Sequence, residues 1–366
     1  MARIDGWGNS PFAFLSGNIV GIMAFHIVLG VLDVVALYFV RSRKKAVSLA
    51  LVLYGWGIVA VALSFDLATE MFAVMANLAN VLFVHAPLLL IVTAILIKGR
   101  WKIFGYTFYG TAALLVLVGI QAFFIEPKRL EITHHTIHSE KVTEPITIVH
   151  LSDIQTDDVG EYEDRVLTEV AAVNPDLILL TGDYIQAPLE IRDQQEEALN
   201  KLFKEKGLAP PMGIFAVQGN VDPTGAGRVF MDLDAVYTQK TDTYYLDQVD
   251  ITALSLSDSF NNNLHVEARE PFHIVFGHGP DFALGTIEAD LLLAGHTHGG
   301  QVQLPFIGPL ITLSRVPRSW GGGGLVEIEE GKHLIVSRGI GMERGSAPEL
   351  RFLCRPELVI ITVRPE

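Results

Sequence analysis

Two hydrophobic rhythms divide this chain. Over the first third, apolar residues run on with little polar relief, as Phe12–Val40, Ala46–Phe65, Met71–Ile97 and Ile103–Ile125. Each run reaches the ~20 residues that cross a hydrocarbon core, which predicts four membrane-spanning helices. A cleaved signal peptide fits poorly, because the first run is too long and three more follow. Glu126-Pro-Lys-Arg129 stops the fourth helix, since proline cannot continue one. Leu130–Thr143 alternates and carries His134, His135 and His138, the pattern of a connecting strand or an extended linker. From Ile146 the rhythm changes. Ile146–Leu151, Asp176–Leu180 and Gly213–Val217 are short apolar runs that read as buried strands. Tyr162–Val173 and Glu190–Lys204 between them have helical spacing. Further strands are expected at Ile251–Leu256, Phe272–Phe276, Leu291–Leu293, Leu325–Glu329, His333–Ser337 and Leu358–Val363. Early βαβ units followed by successive strands predict sheets covered by helices. The expected division is a transmembrane region over 1–126, a linker over 127–145 and a globular α/β domain over 146–366.

Composition sharpens this division. The chain of 366 residues is 50% hydrophobic, with a mean hydropathy of +0.36. Residues 1–125 hold 8 basic and 4 acidic residues, whereas the remainder holds 19 basic against 37 acidic, a formal −18. That acidity argues against nucleic acid as a partner, because a phosphate backbone needs a basic footprint, though local cation sites can still bind a phosphate. A single cysteine, Cys354, excludes an intrachain disulfide. Arg41-Ser-Arg-Lys-Lys45 and Lys98-Gly-Arg-Trp-Lys102 carry seven positive charges, and Asp66-Leu-Ala-Thr-Glu70 between them carries none. The positive-inside rule puts the first and third loops in the cytoplasm and both termini outside, against only Arg3, Lys128 and Arg129. The expected location is the cytoplasmic (inner) membrane, multi-pass, with the globular domain on the periplasmic or extracellular side. Within the spans, His26 and Asp33 share one helical face, and Asn77, Asn80 and His85 lie in the third. Interhelical hydrogen bonding is the favoured role for these, with an intramembrane ionisable site as the alternative.

The chemistry collects just past the strand ends, where loops of an α/β sheet converge. Ser152-Asp153-Ile154-Gln155 follows the first strand and Thr181-Gly182-Asp183 the second. Gly219-Asn220-Val221-Asp222, Gly277-His278-Gly279 and Gly295-His296-Thr297-His298 follow later ones. Each alone is ordinary turn chemistry. Five in series offer carboxylate, amide and imidazole, and imidazole is a common ligand of divalent transition metals. His296 and His298, two apart, share one face in an extended segment, and a glycine-rich loop can turn them onto neighbouring metals.

This ordered series resembles the calcineurin-like metallophosphoesterases, whose motifs run Asp-x-His, Gly-Asp, Gly-Asn-His-Asp or Glu, Gly-His and Gly-His-x-His. It is most similar to their membrane-attached branch. That likeness rests on Ala294–Gln301 with Leu304-Pro-Phe-Ile-Gly-Pro309, and on Ser337-Arg-Gly-Ile-Gly341 with Cys354-Arg-Pro-Glu357. It covers about Ile146 to Val363. It implies a four-layer α/β/β/α sandwich with two divalent metals between the sheet ends. Position by position, Asp183 would bridge the metals. Asp153 and His298 would hold the first, with Gln155 where the family has histidine, and Asn220, His278 and His296 would hold the second. Asp183, Asn220 and His296 would also serve catalysis, and Asp222 would orient a water. Such a donor mixture suits manganese first, then iron or zinc.

The implied activity is hydrolysis of a phosphomonoester or phosphodiester by a metal-bridging hydroxide. An envelope or lipid-linked phosphoester is the expected substrate and the bilayer the expected partner. The alternatives are a metal-binding sensor of phosphorylated ligands, a hydrolase of a nucleotide-linked lipid precursor, and a functional four-helix region capped by an enzyme. Two departures matter. Gln155 replaces an imidazole by a neutral amide, and Val221 replaces a histidine that donates a proton to the leaving group. His150, just before the first motif, reads as structural. The charge count makes one prediction on its own. A reporter active only in the periplasm, fused after Glu366, is expected to give signal, and activity of a cytoplasmic reporter instead would reverse the orientation.

Overall fold

A computed structural model describes residues 13–42, 46–68, 70–223 and 226–366. Arg3, Phe12, and Arg43, Lys44 and Lys45 of the first basic loop lie outside the described residues. The chain divides into two compact units, the first comprising 1–123 with 344–349 and the second the remainder.

In the first unit, helices α1 (Ala13–Ser42) and α2 (Ala46–Asp66) form the first two runs. The third is α3 (Met71–Asn80) and α4 (Ala86–Ile97) joined by a π-turn, Val81–His85. The fourth is α5 (Lys102–Ile120), extended by a second π-turn, Gln121–Ile125. All four runs are long and apolar enough to cross a membrane. Pro87 explains the first π-turn, because it has no N–H for the carbonyl four residues back and its ring crowds that carbonyl. The packing is inverted relative to a water-soluble bundle. Ile27, Val31, Leu88 and Leu117 are exposed, while His85 and Asn77 are buried. The inward polar groups bond to one another. Asp33 accepts from Trp56 Nε1 at 2.7 Å on one oxygen and meets His85 Nδ1 at 2.7 Å on the other. His26 Nδ1 lies 3.0 Å from His85 Nε2, so the network joins the first three spans.

The second unit is built on two six-stranded sheets. The first runs β1 (Glu131–His138), β16 (Glu357–Arg364), β2 (Ile146–Leu151), β3 (Leu177–Leu180), β4 (Ile214–Val217) and β5 (Val236–Thr238). The second runs β14 (Leu325–Glu329), β15 (Lys332–Val336), β11 (Leu291–Ala294), β9 (Phe272–Phe276), β7 (Val249–Ala253) and β6 (Asp242–Tyr245). Two-residue ladders pair β8 (His265–Val266) with β10 (Thr286–Ile287), and β12 (Gln303–Leu304) with β13 (Gly308–Pro309). The segment expected as a linker over 127–145 carries a strand at Glu131–His138. β1 pairs in parallel with β16 along its full length, and Ile137 reaches the core. β5 and β6 were not foreseen, because both are short and half polar.

Strand alternation explains the layers. Ile146, Ile148, Leu177, Leu179, Phe215 and Val217 point inward and meet Ile251, Ile274, Leu291 and Leu293 of the opposite sheet. Val149, Ile178, Leu180 and Ala216 point outward, beneath α6 (Glu161–Val173) and α7 (Leu189–Lys206). Burial on both faces is why these strands read as unbroken apolar runs. Phe282 and Ala283 of a one-turn helix, with Ile287, cover the second sheet's outer face. Four layers result, the fourth much the thinnest. β2, β3 and β4 are mutually parallel, as are β9 and β11, so each set delivers its following loops to one sheet end.

A buried ion pair closes the domain's C-terminal part. Glu357 accepts from Arg338 Nη2 at 3.1 Å, from the Arg338 amide at 3.0 Å and from Thr133 Oγ1 at 2.9 Å. Burial would raise the Glu357 carboxyl, but the guanidinium and these bonds hold it below its ordinary value. A carboxyl lowered by folding stabilises above its unfolded pKa, and that contribution is lost as pH falls through the folded value. Glu357→Gln is expected to cost about 3 kcal/mol at neutral pH. Its deficit against wild type should shrink as pH is lowered into the carboxylate range, read by denaturant unfolding of the full-length protein in detergent.

Candidate metal centre

Five strand-end loops meet, and six of the expected ligands converge. Asp153, Asp183 and His278 present ligand atoms within 4.8 Å of one another, all buried. His278 Nε2 lies 3.2 Å from Asp183 Oδ2 and 2.7 Å from Asn220 Oδ1. His296 Nδ1 reaches the same Asn220 oxygen at 2.8 Å. His298 Nε2 stands 3.7 Å from Asp153 Oδ1. Asn220 is exposed and His296 half-buried, so the cluster opens to solvent on their side.

Local backbone conformation makes this convergence. Asp153, Gln155, Asp183, His296 and His298 have φ of 49°, 37°, 56°, 69° and 48°. Positive φ is uncommon for such residues, and it persists only where the surrounding structure over-determines it. Gly295 shows how tight the approach is. A Cβ there would lie 1.9 Å from Ser152 Oγ and 2.4 Å from Asp153 Oδ2. At Gly219 a Cβ would lie 2.1 Å from Asp183 Oδ1.

The electrostatics point to a cation. Burial pushes the Asp153 carboxyl up to about 7, with His278 opposing and Asp183 adding to the rise. Burial would raise Asp183 too, but His278 and the Val221 amide, 2.9 Å from Oδ1, hold it below the ordinary value. Burial disfavours a charged His278, yet Asp183 and Asp153 raise its imidazole to about 9. Its Nδ1–H donates to the Thr181 carbonyl at 2.8 Å, which leaves Nε2 facing oxygens of Asp183 and Asn220. A divalent cation among those oxygens meets the same demand for positive charge. His298 supplies the second sign of fit. Burial, then the Arg351 guanidinium, keeps this imidazole neutral, as a metal ligand must be. Its buried Nε2 has no hydrogen-bond partner among the described residues. The donors therefore suit metal ions, which Asp153, Asp183, Asn220, His278, His296 and His298 would hold.

Asp222 is placed differently from its expected role, and Gln155 is held beside the centre by its amide hydrogens. Asp222 does not face the cluster's ligands as a water-orienting base. Its oxygens accept from the backbone amides of Asp183 and Gly219, each at 2.8 Å, and of Tyr184 at 2.9 Å. It clamps the loop of β3 to the loop of β4, and this corrects its catalytic assignment. Gln155 is buried beside the centre, and its backbone amide donates to the Asp183 carbonyl at 2.9 Å. Its amide hydrogens go to Gln186 Oε1 at 2.9 Å and Glu343 Oε2 at 3.2 Å, while Gln186 Nε2 donates to Glu343 Oε1 at 2.8 Å.

Several residues here escaped the sequence reading. Gln186 and Glu343 orient Gln155. Ser152 donates to Asp153 and accepts from Thr181 Oγ1 at 2.6 Å, and His150 Nε2 meets Thr181 Oγ1 at 2.9 Å. His150 is thus the far end of a chain leading to Asp153. Its imidazole is lowered to about 4 by burial, so it serves as a neutral donor. Phe260 packs its ring edge on His296, 4.9 Å between centroids. Ser152 and Thr181, adjacent to motif residues, and His150, read as structural, are the ones the sequence could point to; Gln186, Phe260 and Glu343 left no trace.

Two packed sheets with acidic, amide and imidazole ligands at their strand ends define a metal-dependent phosphoesterase. Residues 146–300 match the family model described as calcineurin-like phosphoesterase. The chain is 34% identical over 263 residues to the uncharacterized metallophosphoesterase YkuE of Bacillus subtilis (strain 168), covering 66% of this chain and 88% of that protein. It is 27% identical over 274 residues to an uncharacterized metallophosphoesterase of Aquifex aeolicus (strain VF5), covering 69% and 98%. Among solved structures, the phosphoesterase Yfce from E. coli overlays with a TM-score of 0.29 at 17% identity, covering 56% of this chain and 85% of that one. This chain belongs to the calcineurin-like metallophosphoesterase family, whose members hydrolyse phosphoester bonds.

Asp183 is the carboxylate with neighbours on both sides of the cluster. Asp183→Asn is expected to remove most bound metal, measured by elemental analysis of the purified protein. Wild-type stoichiometry in a folded variant would contradict its bridging position.

Proposed function

We propose that this protein is a membrane-tethered hydrolase that cleaves an envelope or lipid phosphoester with two divalent metals, manganese foremost. One observation carries the reading: Asp153 and Asp183 are buried together beside His278 and the partnerless His298 Nε2. Manganese is favoured because carboxylate and amide oxygens are hard donors. Divalent ions held there would supply Lewis-acid charge to the oxygens of a phosphoryl group. The four apolar helices support the tether, and the charge of the described third loop supports a catalytic unit outside the cytoplasm.

The protein's own residues set the rest. Thr181 fixes the orientation of His278, Asp222 fixes the Asp183 and Asn220 loops, and the exposed Asn220 and half-buried His296 form the open side where substrate enters. Val221 uses its amide to support Asp183, and its half-buried side chain can donate no proton to a departing oxygen. Negative charge then builds on the leaving group, so substrates with acidic leaving groups are favoured.

The test uses full-length protein in detergent, stripped of metal and reloaded with manganese, zinc or iron, on aryl and alkyl phosphomonoesters and phosphodiesters. Hydrolysis that returns with manganese, and runs fastest on aryl substrates, supports the reading. Absence of turnover with every metal at full occupancy would sink it in favour of a sensor. Val221→His should gain most on alkyl substrates, towards the ~10²–10⁴-fold that general acid help provides. An unchanged aryl-to-alkyl ratio in that metal-loaded variant would mean that another group already supplies the proton.

A further inference from the structure

Beside the metal centre the chain displays an apolar loop that none of the described residues covers. Phe306 is fully exposed, and Ile307, Leu310, Ile311 and Leu313 are exposed as well. Large side chains on a water-facing domain are normally scattered, and a contiguous group of this kind marks a binding surface. The backbone is held in the outward-displaying form at some cost. Phe306 and Leu313 have φ of 67° and 50°, values that bulky residues rarely adopt. The β12–β13 ladder pins the loop's base, with Gln303 opposite Pro309 and Leu304 opposite Gly308.

The charge around this loop is also unlike the rest of its domain. From Leu291 to Val326, 36 residues, there is no Asp or Glu, although the chain beyond residue 125 is formally −18. The only charged side chains in that stretch, histidines apart, are Arg315 and Arg318. Arg318 donates to the carbonyls of Pro309 and Leu310, each at 3.2 Å, which holds the guanidinium at the loop's foot. An open cavity of about 560 Å³ lies there, lined by Phe306, Ile307, Pro309 and Arg318 among others. Arg315 is largely exposed, with Asp281 3.6 Å away. An apolar tip above arginines is the arrangement that sits at a bilayer interface, with side chains among acyl chains and guanidinium groups at the level of anionic phosphates.

The loop is mechanically joined to the catalytic ligands. Gly300, two residues beyond His298, packs so closely that a Cβ would lie 2.4 Å from the Ile311 carbonyl oxygen. The Leu310 amide donates at 3.3 Å to the carbonyl of Val302, four residues beyond His298. The loop thus begins and packs within a few residues of His298.

We propose that residues 305–313 insert into the outer boundary of an anionic phospholipid bilayer and bring the metal centre to the headgroup layer. The occupant is the bilayer because the same chain carries four spans suited to one, and because the arginines complement lipid phosphate. This deepens the phosphoesterase reading by assigning a lipid-borne phosphoester as substrate class. Only the activity arm of the test rests on that reading.

Full-length protein is reconstituted into vesicles of phosphatidylethanolamine and phosphatidylglycerol. A nitroxide is placed at Phe306→Cys and, as a water-exposed reference, at Lys201→Cys on α7; Cys354 is buried and stays. Insertion predicts that collisions with oxygen dominate at 306 and collisions with a water-soluble nickel chelate dominate at 201. Equal access of the chelate to both positions overturns the proposal. Vesicles of phosphatidylcholine alone separate the two contributions, and insertion there should be shallower. The double variant Phe306→Asp with Ile307→Asp changes exposed side chains and should fold. Its ratio of turnover on a bilayer phosphoester to turnover on a soluble aryl phosphodiester should fall at least about tenfold. An unchanged ratio overturns the lipid assignment. Loss of both activities in wild type with the 306 label still inserted sinks the hydrolase reading and leaves the docking surface standing.

Discussion

Asp153 and Asp183 are buried side by side at the ends of two adjacent parallel strands, and their mutual repulsion governs the catalytic unit. Two ionised carboxylates removed from water are tolerated only when donors and positive charge surround them. The backbone provides much of this. The amides of His296 and Val221 turn toward the two carboxylates, at a cost in positive φ along the ligand-bearing turns. Ser152 and His278 provide the rest from side chains. The glycines of these loops follow from the same requirement, since at Gly219 and Gly295 any side chain would occupy carboxylate space. A cation fits this environment for the reason that a proton on His278 does.

A second brace closes the centre from the C-terminal side. Arg351 is fully buried and donates to the carbonyls of Arg338 at 2.6 Å, Gly339 at 3.3 Å and Cys354 at 3.2 Å. The bend so formed presses against the first ligand loop, where the Ile340 and Gly341 amides donate to the carbonyls of Ser152 and Asp153 at 2.9 and 2.6 Å. Cys354 donates its thiol to the His298 carbonyl at 3.3 Å. The two late stretches, Ser337–Gly341 and Cys354–Glu357, thus belong together through Arg338 and Glu357, and their role is to hold Asp153 and His298. Glu343 continues the brace to Gln155, where the family's histidine is missing.

The four-helix unit, apolar enough to cross a membrane, obeys the opposite rule of packing. Its outward residues are apolar and its polar groups face inward, where Asp33, Trp56, His85 and His26 satisfy one another. In lipid there is no water to compensate a stray polar group, so such groups find partners on neighbouring helices. On the catalytic unit the loop around Phe306 makes a comparable outward apolar display.

Much of this was legible in the linear pattern. The apolar runs, the doubly buried strands and the strand-end motifs depend on local composition and spacing, and the described elements fall on them to within about three residues. Asp153, Asp183, Asn220, His278, His296 and His298 could be named because each sits in a loop whose chemistry is unusual for a turn. What the sequence could not decide was partnership across distance. Asp222 lies in the same motif as Asn220, yet its carboxylate is consumed by three amides of two loops. Leu130–Thr143 alternates like any exposed strand, and only its pairing with β16, more than two hundred residues later, makes it part of the sheet. Glu343 stands beside Gln155 only because Arg351 bends the chain back, and the apolar loop flanks the metal centre because it packs against Gly300 and bonds Val302. Periodicity and motif chemistry are local properties of a chain, whereas a carboxylate's role depends on which donors folding brings within three ångströms of it.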